Sequence, residues 1–304
     1  MSRELRRLLD ARVVVGIDVH PPIVAVAAGA AAEAIELLGR GIGGGHAKLL
    51  ARDRDWYTSA SMSEGGSFAL SLLAIGETFV ISAPTVYEAL RGSPTSRARC
   101  SERLERWSKR IVRQAEIDLR VHGSEHLVAG ETYVVMSNHQ SLWDIPVLFR
   151  ALPSLCLRMV AKTELFRIPV FGGALEVAEF IELDRGNKNR ARQSLKVAQE
   201  RFKSGISVWI APEGTRSPTG KLGSFKKGGF ILALEAGARI LPVTLVGTGE
   251  VMPARATHTR KGKRVDAYIH APIDAKPYGI ERRDELVSVV KSAIESALPP
   301  HMQG

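Results

Sequence analysis

A histidine and an aspartate five residues apart, His139 and Asp144, are the side chains in this sequence best suited to move a proton. Positions five apart do not share a face of a straight helix. They meet if the histidine lies in a loop and the aspartate in the first helical turn. Ser141 and Asp144 have the spacing of a helix start, which supports that geometry. Asp144 would then accept the Nδ1 proton, fix the tautomer and leave Nε2 as a base. The plainer alternative is that Asp144 caps a helix and His139 is a loop histidine. A second cluster, Ile210-Ala211-Pro212-Glu213-Gly214-Thr215-Arg216-Ser217, follows an apolar run. Its glycine lets backbone approach a ligand closely and its arginine can grip a phosphate, although read alone it is also an ordinary turn. A third, Phe180-Ile181-Glu182-Leu183-Asp184-Arg185, reads as a strand ending in an arginine, or as an edge strand with a surface ion pair.

From about residue 121 the hydrophobic pattern alternates short apolar runs with helical stretches. Strands are expected at 133–136, 155–161, 178–183, 206–211, 240–246 and 265–269. Helices are expected from 145, over 191–204 (closed by Gly205), over 230–236 and over 283–297. Such alternation implies a mostly parallel sheet covered on both faces, with ligands gathering where strands end. All three clusters sit at such ends. Upstream, residues 67–120 read as helical. Phe68 to Ala83 is apolar, with Glu77 in its middle and Pro84 expected to end it. Arg97 to Arg120 holds eight basic and four acidic residues around an apolar stripe of Leu104, Trp107, Ile111 and Ala115. That stripe fits a helix packed on the domain, or one lying on anionic lipid with its tryptophan at headgroup level.

NHxxxxD, a strand ending in arginine and PEGTR, in this order, resemble the lysophosphatidic acid acyltransferase (PlsC-like) family. Further matches are Lys162-Thr163-Glu164-Leu165, Ile168-Pro169-Val170-Phe171-Gly172, Phe225-Lys226-Lys227-Gly228 and Leu241-Pro242-Val243. The likeness covers roughly residues 67–250. The third cluster departs slightly, with Glu182-Leu183 before Asp184-Arg185 where many members have a shorter Phe-Ile-Asp-Arg form. The resemblance implies a glycerolipid acyltransferase-like α/β fold, a mostly parallel (mixed) sheet flanked by helices, with N-terminal membrane-associating helices. It implies transfer of a fatty acyl group from acyl-CoA or acyl carrier protein to lysophosphatidic acid, giving phosphatidic acid. His139 and Asp144 would be catalytic. Asn138, Lys162, Arg185, Glu213, Gly214, Thr215 and Arg216 would bind substrate: Glu213 and Gly214 at the glycerol part, Lys162, Arg185 and Arg216 at the phosphate. Backbone N–H groups near Gly214 are candidates for holding the oxyanion. There is no GxSxG serine and neither cysteine lies in a matching block, so direct transfer is the economical scheme, with no metal or bound cofactor.

Composition agrees with an anionic partner without choosing it: the formal net charge is +10 over 304 residues. Cys100 and Cys156 form no CxxC pair, which excludes a zinc cluster and a disulfide framework and points to a reducing compartment. Asp18-Val19-His20 is best taken as a strand end, and the glycine cluster at 41–45 lacks the Gly-Lys-Ser/Thr of a phosphate loop and suits a linker. No cleaved signal peptide is expected from the first residues. The expected organisation is 1–66 of unknown role, 67–120 membrane-associating helices and 121–304 the acyltransferase domain. The protein should sit at the cytoplasmic face of a membrane, touching anionic lipid, its lysophospholipid acceptor and its acyl donor, and no nucleic acid. The rivals are the same chemistry on glycerol-3-phosphate or a lyso-aminolipid, and a non-catalytic basic binding module. The latter would explain the charge but not three ordered clusters.

Overall fold

The apolar run Tyr133–Met136 and the Ser137 that follows it are buried along their whole length, as expected of a strand covered on both faces. In the computed structural model, which describes residues 66–304 apart from 94, 185 and 187, this run is strand β2 near the middle of a mixed sheet. The elements follow in the order α1 (Phe68–Leu90), α2 (Arg97–Gln114), β1 (Asp118–His122), β2 (Tyr133–Ser137), α3 (Asp144–Ala151), β3 (Leu157–Lys162), α4 (Thr163–Phe166), α5 (Phe171–Val177), β4 (Ile181–Leu183), α6 (Lys188–Lys203), β5 (Ser207–Ile210), α7 (Gly228–Ala236), β6 (Arg239–Val246), α8 (Thr248–Val251), β7 (Arg264–Ile269), β8 (Ile273–Asp274) and α9 (Arg283–Ser296). The strand order is β1-β7-β6-β2-β5-β3-β4, with β8 also paired to β6. Strands β6, β2, β5, β3 and β4 run parallel, so their C-terminal ends form one edge. β7 and β8 are antiparallel to β6, and β1 follows β7.

Side-chain alternation along β2 divides the interior. Tyr133 and Val135 join a core with residues of α1, α2 and α3, whereas Val134 and Met136 join a second core with α6, α7 and α9. The two helical layers therefore lie on opposite faces of the sheet. The Asp18-Val19-His20 and 41–45 segments, and Arg185, fall outside the described residues.

Two expectations are corrected, and one reading left open is decided. Pro84 does not end α1, which continues to Leu90. Proline removes the bond to the carbonyl four residues back, here that of Val80, and Val80 is exposed, so water can serve that carbonyl. The turns beyond are tied down by Arg103, which donates to Thr85 at 2.8 Å and to Glu88 at 2.6 Å. Second, the basic segment is not one helix over 97–120. It stops at Gln114, Glu116 adopts φ +53°, and Asp118–His122 pairs in parallel register with Arg264–Tyr268. Third, the apolar stripe of α2 faces the protein. Trp107 packs edge-on against Phe149 and donates its indole N–H to Thr78 at 3.0 Å, which takes it away from a lipid headgroup.

α1 is long and apolar enough by length and composition to cross a bilayer, but 33% of that stretch is buried within the protein. Its one carboxylate in mid-helix, Glu77, is satisfied by Arg110 at 2.6 Å and Gln114 at 3.2 Å. Elsewhere along α1, Phe68, Val80, Tyr87 and Leu90 are exposed.

The end of α2 is held by a clamp on Glu179, which accepts from Arg97 at 2.6 and 2.8 Å and from Arg201 at 2.8 Å. The Arg97 hydrogen bond holds the Glu179 carboxyl below the usual glutamate range. A depressed folded-state value adds stability that is present above the unfolded pKa, about 4.3, and is lost as pH falls through the folded value. Glu179→Gln should accordingly lower the melting temperature at neutral pH and flatten its acid limb, the two proteins converging as pH falls. An acid limb identical to that of the wild type would remove this clamp from the account.

Candidate active site

Three of the five parallel strands deliver candidate residues to the same edge of the sheet, and β4 delivers the aspartate of the third cluster. His139 follows β2, Lys162 ends β3, Asp184 follows β4, and Glu213 to Arg216 follow β5. The His139 imidazole and the Asp144 carboxylate meet: Nδ1 lies 2.7 Å from Oδ2. Asp144 is fully buried, and the same Oδ2 accepts the backbone N–H groups of Gln140 at 2.8 Å and Ser141 at 3.0 Å. The bond to Ser141 is half of the expected helix-start pattern. The other half is diverted, since Ser141 Oγ accepts from Trp143 N–H and donates to the Met252 carbonyl. Asp144 Oδ1 has no hydrogen-bond partner among the described residues. With a carboxylate at Nδ1, the proton belongs on that nitrogen and Nε2 is left as an acceptor.

The histidine is fixed from three further sides. Its backbone N–H donates to Glu213 Oε1 at 2.8 Å, and its carbonyl accepts from Ser217 N–H at 2.8 Å. Its ring stands edge-on to Trp209, centroids 5.5 Å apart, and Trp209 is itself held by donating to Ser137 Oγ at 2.9 Å. Trp209 was not among the residues singled out from sequence. Its only signal there is its place in the strand leading into PEGTR.

The Acyltransferase family profile matches residues 118–246. The chloroplastic 1-acyl-sn-glycerol-3-phosphate acyltransferase of Arabidopsis thaliana is 35% identical over 181 residues, 59% of this chain and 49% of that protein. The 1-acyl-sn-glycerol-3-phosphate acyltransferase of Pseudomonas aeruginosa is 38% identical over 138 residues, 45% of this chain and 52% of that protein. The crystal structure of the 1-acyl-sn-glycerophosphate acyltransferase PlsC from Thermotoga maritima superposes with a TM-score of 0.62 at 28% identity, covering 75% of this chain and 92% of that one. Residues 118–246 are thus similar to acyltransferases. The chain spans about half the length of the curated relatives it matches.

The remaining candidates divide into groups that face the site edge and groups already engaged by protein. Asn138 is buried, and its amide pairs with the backbone of Leu245 in both directions at 2.8 Å. Both oxygens of Glu213 are taken, one by His139 N–H and the other by Gly223 N–H at 2.8 Å. Burial pushes the Glu213 carboxyl above its ordinary range, against the pull of those N–H groups. Gly214 adopts φ +76°, and its own N–H closes the turn on the Ala211 carbonyl at 3.0 Å, so that N–H is spent. Thr215 is exposed at the tip of this turn. Arg216, half-buried, makes no ion pair or hydrogen bond among the described residues. Burial pulls its guanidinium below the ordinary value, and the charge of Asp144 works the other way. Lys162 is exposed at the end of β3. A bonded histidine and aspartate thus stand at the edge where Arg216 and Lys162 also emerge, and the desolvated Arg216 guanidinium has no ion-pair partner among the described residues. Such a cation gains from any anion that enters.

Proposed function

We propose that the chain transfers a fatty acyl group from a thioester, acyl-CoA or acyl carrier protein, to the free hydroxyl of lysophosphatidic acid, yielding phosphatidic acid. The observation that carries this is the Nδ1 to Oδ2 contact of 2.7 Å, which leaves Nε2 of His139 as a base at a site edge shared with Arg216. In the proposed step Nε2 takes the hydroxyl proton while that oxygen attacks the thioester carbonyl. The C–O bond forms, the C–S bond breaks, and the departing thiolate takes the proton back from the imidazolium. Asp144 stabilises the imidazolium between these events. A thioester is already activated, so the scheme calls for neither metal nor cofactor.

Arg216, Lys162 and Arg185 are the proposed cradle for the acceptor phosphate, with guanidinium suited to bidentate contact. Glu213, Asn138, Gly214 and Thr215 complete the proposed binding region, the first two by holding the loop that carries His139. The substrate lies in a bilayer, so the exposed apolar residues of α1 are the proposed membrane contact, at the cytoplasmic face.

The direct test is incubation of the purified chain with lysophosphatidic acid, glycerol-3-phosphate and other lysophospholipids in turn, each with a palmitoyl thioester, followed by mass spectrometry of the lipid. Absence of phosphatidic acid in every mixture would sink the proposal. Arg216→Ala should raise KM for lysophosphatidic acid by ten- to a hundredfold, about 1.4–2.8 kcal/mol. A lowered kcat with unchanged KM would move Arg216 out of phosphate binding.

A further inference from the structure

The outward face of α6 carries charge that the proposed acyl transfer leaves unused. Between Lys188 and Lys203 the sequence holds six basic residues and one acidic residue, Glu200. The inner side of the helix, with Leu195, Ala198 and Phe202, packs into the second core. Two of the cations are engaged by protein, Arg190 with Asp184 and Arg201 with Glu179. Arg192, Lys196 and Lys203 are exposed and make no ion pair among the described residues. Their offsets of four and seven place all three on one side of the helix.

Direction matters as much as charge. β4 ends beside Lys162 at the site edge, and α6 starts only five residues after Leu183. The helix then runs back to Gly205, where the chain enters β5 at the opposite end of the sheet. The strip therefore leads away from the rim of the candidate active site for about 16 Å between Arg192 and Lys203. That is longer than a single phosphate or lipid headgroup requires.

The layer in which α6 lies and the make-up of its outer side decide between anionic partners. Leu70 and Ala74 of α1 pack in the first core, whereas the inner side of α6 packs in the second, on the other face of the sheet. The outer side of α6 carries three exposed cations and no exposed large hydrophobic other than Val197, which suits a soluble acidic partner better than an acyl surface. We propose that the α6 strip docks a soluble acidic protein that carries the acyl thioester, an acyl carrier protein, and so presents the donor at the rim by charge complementarity. This rests on the acyl-transfer function proposed above.

The test compares the wild-type chain with R192E/K196E/K203E, using palmitoyl carrier protein and palmitoyl-CoA as donors to lysophosphatidic acid. The variant should lose about 30-fold or more in kcat/KM with the carrier-protein donor, through KM, and stay within about twofold with palmitoyl-CoA. The wild-type KM for the carrier-protein donor should rise with salt while that for palmitoyl-CoA rises less. Equal losses with both donors, or no loss with either, would overturn the proposal. So would weakened flotation with phosphatidylglycerol vesicles at unchanged use of the carrier protein, which would give the strip to lipid. If the wild type turns over neither donor, the function itself fails. Fluorescence anisotropy with labelled carrier protein then decides docking alone: tighter binding by wild type than by variant upholds it, and equal or no binding overturns it. A matching thermal melt confirms that the variant is folded.

Discussion

His139→Ala lowers kcat for acyl transfer by about 10²–10⁴-fold, on the order of 3–5 kcal/mol in the barrier, and leaves the fold in place. The size follows from losing the group that takes the hydroxyl proton, because an alcohol is a poor nucleophile until that proton is moving. The fold survives because the loop is anchored through the main chain of residue 139. Its N–H to Glu213 and its carbonyl to Ser217 are both kept by alanine. What is lost is one ring edge against Trp209 and one of three donors to Asp144. A decrease of a few degrees in melting temperature is expected, well short of unfolding. Thiol release and lipid product are measured together under saturating donor and acceptor. Activity within tenfold of wild type, from a protein of unchanged circular dichroism, would refute the assignment of His139 as base.

The elements that position this histidine were legible from local pattern, and the bonds that immobilise it were not. The apolar Tyr133–Met136 and the serine-to-aspartate spacing after it announce a strand, a loop and a helix start within a dozen residues. The partners that lock the loop lie far along the chain. Asn138 pairs with Leu245, 107 positions away, and His139 N–H with Glu213, 74 positions away. Parallel pairing of β2 with β6 and β5 creates those meetings, and no sequence period reports which parallel strands are neighbours. The same cause hides β1. Asp118–His122 has a half-exposed alternating pattern, and it becomes a strand by pairing with β7 beyond residue 263. Where sequence and structure parted over α1, propensity lost to packing: Pro84 is a strong local breaker, yet Arg103 from the next helix holds the turns beyond it. The Glu213 carboxylate carries a related lesson. The side chain has the chemistry to meet a glycerol hydroxyl, but each of its oxygens already accepts from a backbone N–H, a role in holding the loop that no sequence period reports.

Asp144→Asn should cost almost as much as removing the histidine, for a different reason. The carboxylate accepts from three N–H donors at one oxygen, those of His139, Gln140 and Ser141. An asparagine that keeps its carbonyl toward the two backbone donors still takes the His139 Nδ1 proton, but with no charge to stabilise the imidazolium. If it turns the amide NH₂ toward the ring instead, Nδ1 becomes the acceptor. The proton moves to Nε2, and the base is lost. Either outcome slows transfer, and exchange of a buried carboxylate for an amide at such a histidine is expected to lower kcat by about 10³–10⁴-fold. Asp144→Ala differs in stability as well, since it leaves two buried backbone N–H groups unpaired at a cost of roughly 1–3 kcal/mol each. Comparing the two variants therefore separates charge from scaffolding. The asparagine protein should melt near the wild type while failing in kcat, and the alanine protein should fail in both. An asparagine variant with wild-type kcat would mean that Asp144 only caps the helix, and the bonded pair would lose its chemical significance.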